Sequence, residues 1–145
     1  ETTEGNVIHY GYIEKFIEGL GERFNIREIA FDRWGAVQMV QNLEGMGFTI
    51  VPFGQGFKDM SPPTKELMKL TLEKRIAHGG HPVLRWMMDN IFIRTDPAGN
   101  IKADKEKSTE KIDGAVATIM ALDRAIRCGN DNGASVYDTR GILFI

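Results

Sequence analysis

The sequence predicts an α/β fold, and three adjoining stretches carry the prediction. Asn25 to Phe31 alternates and closes in an apolar run, the pattern of a strand. Trp34, Val37, Met39, Val40 and Leu43 then recur at helical spacing, and after Gly45 and Gly47 the run Phe48 to Pro52 reads as a second strand. Strand, helix, strand is the repeating unit of α/β sheets. Asp32 stands at the carboxyl end of the first strand, where open α/β sheets place working residues. It is equally well suited to be the N-cap of the helix that follows.

The remaining elements follow in order. Upstream, His9 to Phe24 places Tyr12, Ile13, Phe16, Ile17, Leu20 and Phe24 on one side, an amphipathic helix expected to cover the sheet. Phe53 to Phe57 is a glycine-marked loop, and no Gly-Lys-Ser/Thr follows to make it a phosphate loop. Ser61-Pro62-Pro63-Thr64 reads as a helix start, with the helix running to about Ala77. The turn His78 to Pro82 ends it, and Val83 to Asn90 forms a short helix. His78 and His81 are within reach of a ligand, although histidines in turns usually have no chemical role.

Ile91 to Arg94 and Ile101 to Ala103 flank a Thr-Asp-Pro-Ala-Gly-Asn turn, so 91–103 reads as a β-hairpin with Asp96 as a turn residue. From 102 to 111 the lysines 102, 105, 107 and 111 alternate with Asp104, Glu106 and Glu110, which taken alone describes a solvated linker. Lys111 to Cys128 is a helix with one core face, built from Ile112, Val116, Ile119, Met120 and Leu122. Asp113 falls in its first turn, where the positive end of the helix dipole keeps a carboxylate ionised and able to hold Mg²⁺. The same dipole also accounts for an acid there with no metal at all. Beyond Gly129 the chain is glycine-rich and polar.

Bulk properties narrow the chemistry. At 145 residues, 42% apolar and 26% charged, the chain is one domain's worth of soluble, globular sequence. No run reaches the ~20 apolar residues of a membrane span, and no signal sequence opens the chain, so a cytoplasmic location is expected. One cysteine, Cys128, excludes an internal disulfide, and three scattered histidines argue against a nitrogen- or sulfur-ligated zinc, which leaves an oxygen-bound metal. A net charge of −2 and a pI near 5.9 require any nucleic-acid contact to be local. The chain opens on Glu1, not Met, and no strand precedes the first helix, so it reads as a fragment of a longer polypeptide.

Four blocks, IAFDRWGA at 29–36, VPFGQGFKDMSPPTKELMKL at 51–70, HGGHPVLRWMMDNI at 78–91 and KADKEKSTEKIDGAVATIMALDRA at 102–125, together resemble the nuclease domain of tailed-phage large terminase subunits. The resemblance runs in order from about Tyr10 to Ala125. It implies a ribonuclease H-like fold, a central mixed sheet flanked by helices, in a single C-terminal nuclease domain over 1–145 that cuts concatemeric viral DNA during packaging. The ATPase motor that normally precedes it has no phosphate loop here, so no ATP hydrolysis is expected.

The family's acids come from three places and hold two Mg²⁺ or Mn²⁺ ions. Asp32 matches the second place and Asp113 the third, which makes both expected metal ligands and catalytic residues. The first acid's strand has no counterpart: Glu1 and Glu4 lie in a short polar lead. Two anchors of three imply weak ion binding and an impaired fragment, and an uncovered sheet edge invites pairing between copies. The resemblance also raises the hairpin and Lys102, Lys105 and Lys107 to a DNA-contacting arm. Expected partners are double-stranded DNA and, for the whole protein, the terminase small subunit and the capsid portal in the host bacterium. The alternatives are a non-catalytic DNA- or portal-binding assembly module, or a prophage remnant whose site has eroded.

Overall fold

The structure, a computed structural model, describes residues 7, 9–33 and 37–128. The polar lead that holds Glu1 and Glu4, the start expected for the second helix at Trp34, and the tail beyond Gly129 lie outside the described residues. The chain divides into two compact units, Glu1–Asp59 and Met60–Ile145.

In the first unit, α1 (Tyr10–Arg23) leads to β1 (Ile29–Asp32), α2 (Val37–Gly45) and β2 (Ile50–Phe53). β1 and β2 are parallel and in register from Ile29 opposite Ile50 to Asp32 opposite Phe53, so the strand-helix-strand reading holds. Both strands start later than the sequence pattern suggested: Asn25 to Glu28 and Phe48 to Thr49 remain outside the sheet. Among the described residues of this unit, Leu43 and Phe53 are the buried apolar ones. α1 packs against α2, with Asn42 Nδ2 donating to Glu14 Oε1 at 2.8 Å. None of its residues is buried, and Tyr10, Tyr12, Ile13 and Phe16 are exposed. The face expected to cover the sheet is thus at most half-buried: α1 contacts α2, and its Gly21 lies against the Phe48 ring just ahead of β2.

The second unit takes its core from α3 (Phe57–Leu72) and α5 (Asp113–Cys128), which bury Met60, Pro63, Ala115, Val116, Ile119 and Met120. α3 corrects the sequence reading at both ends. It starts before Ser61, at Phe57 with Asp59 in its first turn, and carries Pro62 and Pro63 inside. Prolines there forgo the N–H bonds to the carbonyls of Lys58 and Asp59. Burial of Met60, Ser61, Pro63 and Thr64 on one face compensates, and Thr64 Oγ1 donates to the Met60 carbonyl at 2.6 Å. The helix stops at Leu72, short of Ala77, because Lys74 adopts φ +56 and closes a Schellman motif: Arg75 N–H donates to Leu70 and Lys74 N–H to Thr71.

α4 (Pro82–Asp89) follows, with proline at its first position and His81 as N-cap, its ring nitrogen accepting from Leu84 N–H at 3.5 Å. His78 Nδ1 accepts from Gly80 N–H, so both turn histidines have structural work. β3 (Ile93–Thr95) and β4 (Ile101–Ala103) form the antiparallel hairpin, a separate two-stranded sheet. The strands described thus pair as two doublets and not as one continuous sheet.

Asp96 organises the hairpin turn, accepting from Ala98 N–H, Asn100 N–H and Asn100 Nδ2 at 2.8–2.9 Å. The Asn100 amide, then the backbone N–H groups, hold its carboxyl below the ordinary value of 3.8. A carboxyl with a folded-state pKa below its unfolded one contributes stability that is complete above the unfolded value and is lost as pH falls through the folded one. Acidification below about pH 4 is therefore expected to loosen this turn, and the chemical shifts of the Ala98 and Asn100 amides should move with that titration in the wild type and not in Asp96→Asn.

Candidate functional site

In the first unit the parallel strands point their carboxyl ends the same way, which brings Asp32, Arg33 and the Phe53-Gly54 peptide to one edge. Asp32 is the last residue of β1 and is exposed. α2 is described from Val37, and the residues that would decide whether Asp32 caps it lie outside the described residues. Beside it, Arg33 Nη2 lies 4.0 Å from Asp59 Oδ2 at the start of α3. Gly54 makes room for that pair: a Cβ there would strike the Asp59 carboxylate and come within 2.6 Å of Arg33 Nη2.

In the second unit Asp113 opens α5 with its side chain 63% exposed, and Lys105 Nζ donates to its Oδ1 at 2.8 Å. That hydrogen bond, opposed by partial desolvation and aided by the charges of Lys105 and Lys111, lowers the Asp113 pKa, so the group is ionised at neutral pH. Gly114 serves the packing of α4. Its N–H approaches Met87 Sδ at 3.2 Å, and a Cβ would come to 2.7 Å from that sulfur. Gly114→Val is accordingly expected to destabilise by about 1–3 kcal/mol through overpacking of α4 on α5, measured by urea unfolding.

The segment 104–109 is more than a solvated linker. Asp104 is buried, its Oδ1 accepting from Glu106 and Lys107 N–H groups at 2.9 and 3.3 Å, while its Oδ2 is 3.7 Å from Arg94 Nη1. Ser108 Oγ donates to the Asp104 carbonyl and accepts from Phe92 N–H, which clips the turn to the hairpin. The signal for it was present in the sequence: an Asp whose side chain can bond the backbone two and three residues on. The surrounding alternation of charges concealed its burial.

The three lysines of the expected arm have different settings. Lys105 is on Asp113; Lys107 Nζ lies 5.5 Å from the Phe92 ring centroid; Lys102 lies on β4 opposite Arg94. Among the described residues no group of three or more His, Cys, Asp or Glu side chains is arranged to hold a metal ion. Asp32 and Asp113 belong to different units; both are exposed residues, and the Asp113 carboxylate draws an ammonium.

The family model for the terminase large subunit endonuclease domain matches residues 1–128. The chain belongs to this family. It is 40% identical over 126 residues to the terminase large subunit of Enterobacteria phage HK97, covering 86% of this chain and 25% of that protein. Protein YmfN of Escherichia coli (strain K12) is 32% identical over 126 residues, covering 86% and 28%. The chain thus spans about a quarter of the length of the curated relatives it matches. The crystal structure of the HK97 large terminase superposes with a TM-score of 0.78 at 39% identity, covering 86% of this chain and 26% of that one. The large terminase nuclease of thermophilic phage G20c superposes at 0.61 with 14% identity, over 85% and 64%, a likeness of fold alone. The fold is of the ribonuclease H-like type of the terminase nucleases. No helix among the described residues is long and apolar enough to cross a membrane.

Proposed function

We propose that this chain is the single, C-terminal nuclease domain of a terminase large subunit and hydrolyses phosphodiester bonds of concatemeric double-stranded DNA during phage genome packaging. The observation that carries the reading is the family match across 1–128, within which Asp32 ends a strand and Asp113 opens a helix. Asp32 and Asp113 are its metal ligands and catalytic residues. Two Mg²⁺ or Mn²⁺ ions supply activation of water and stabilisation of the leaving oxygen. The carboxylates would fix the cations, and Lys105 and Lys111 help keep Asp113 ionised.

Lys102 and Lys107 meet DNA phosphates without reading sequence, joined by Lys105 whenever it leaves Asp113. Lys102→Gln and Lys107→Gln are each expected to lower the slope of log affinity against log salt by about one, read by fluorescence anisotropy on duplexes of different sequence. The small subunit and portal are the partners of the complete protein, in the bacterial cytoplasm.

The test is plasmid cleavage in Mn²⁺ by the 145-residue chain and by a version lengthened upstream. Cleavage by the lengthened protein that stops with EDTA supports the reading. Salt-sensitive DNA binding with no cleavage, indifferent to EDTA, replaces it with a non-catalytic assembly module.

A further inference from the structure

In the hairpin, Arg94 on β3 stands directly opposite Lys102 on β4. Opposed residues of an antiparallel pair project to one face with their Cβ atoms about 5 Å apart, and like charges placed that way repel. Ile93 and Ala103 project to the other face, where Ala103 is buried, so the two cations share the side away from the core. The Arg94 guanidinium lies 3.7 Å from Oδ2 of Asp104, a buried oxygen that accepts no hydrogen bond among the described residues. That carboxylate offsets only one of the two positive charges. The Arg94 side chain is about half exposed, and a guanidinium carries five N–H donors in a planar fork, so one edge can face Asp104 while another faces an anion from solvent. Lys107 adds its charge nearby, its Nζ 5.5 Å from the ring centroid of Phe92, two residues before Arg94.

We propose that Arg94 is a further phosphate-binding residue, which with Lys102 forms a two-cation cradle for the backbone of duplex DNA and is steadied from behind by Asp104. The inference rests on the reading of Lys102 and Lys107 as DNA contacts. A phosphate placed between Arg94 and Lys102 turns their mutual repulsion into attraction to a shared anion, and arginine suits the task because its fork meets two phosphate oxygens at once. Asp104 is fixed in its supporting role: its Oδ1 accepts from the Glu106 and Lys107 N–H groups at 2.9 and 3.3 Å, and its own N–H donates to the Phe92 carbonyl at 2.9 Å. Contacts of this kind reach phosphates and not base edges, so they carry no sequence preference.

The experiment is binding of the 145-residue chain to fluorescent duplexes of two sequences, in EDTA and over a range of salt, by wild type, Lys102→Gln, Lys107→Gln, Arg94→Gln, Arg94→Lys and the double variant Arg94→Gln/Lys102→Gln. Arg94→Gln is expected to lower the slope of log affinity against log salt by about one on both duplexes, Arg94→Lys to retain it, and the double variant to lower it by about two. Because Arg94→Gln leaves Asp104 buried without its cation, the comparison is repeated in an Asp104→Asn background, where adding Arg94→Gln should again lower the slope by about one. If Arg94→Gln leaves the slope unchanged in both backgrounds while Lys102→Gln lowers it, Arg94 only balances Asp104 and the proposal is overturned. If Lys102→Gln and Lys107→Gln leave it unchanged as well, or the wild type binds neither duplex, the DNA reading of the arm fails and the proposal with it.

Discussion

In a version of the protein lengthened upstream, Asp113→Asn is expected to lower Mn²⁺-dependent plasmid cleavage on the order of 100-fold or more, since even residues that only orient metal ligands cost 10–100-fold when removed. The fold should be indifferent to the change. Asp113 is 63% exposed, and its one strong partner is an exposed lysine, so the cost in stability stays within about 0.5 kcal/mol. Asparagine keeps the size and the hydrogen-bonding oxygen and removes only the charge. Cleavage close to the wild-type rate would return Asp113 to the role of a helix-terminal acid that suits the dipole.

Ile119→Ala is expected to cost about 2–5 kcal/mol of folding stability, the largest effect of any single change considered. Ile119 is 1% exposed on α5, beside the equally buried Ala115, Val116 and Met120, and deleting its outer carbons leaves a cavity those neighbours fill only in part. The consequence reaches the site, because Asp113 opens this same helix. Urea unfolding measures it, and a loss below about 1 kcal/mol would mean that α5 is not the keystone of the second unit.

Much of this architecture was legible in the sequence, for identifiable reasons. α1 and α5 repeat apolar residues over several turns, and the hairpin turn is written in Asp96, Gly99 and Asn100, so local chemistry specified them. α3 was misplaced because Ser61-Pro62-Pro63-Thr64 has the composition of a helix start. The true first turn, Phe57 to Met60, lies just ahead of it, and burial of Pro63 holds the prolines inside the helix. Asp104 was hidden for the opposite reason: burial is set by packing, and a charge among charges gives no local sign of it. The proposed ligands Asp32 and Asp113 were each singled out from position within an element. Whether they serve one centre depends on long-range packing that spacing along the chain does not encode.

That Asp32 and Asp113 are each metal ligands is the central proposal, and calorimetric Mn²⁺ titration of the lengthened protein with Asp32→Asn, Asp113→Asn and the double variant tests it most directly. If both carboxylates are ligands, each single change weakens Mn²⁺ binding and the double variant binds least. An Asp32→Asn or Asp113→Asn variant that binds Mn²⁺ as the wild type does would contradict the account.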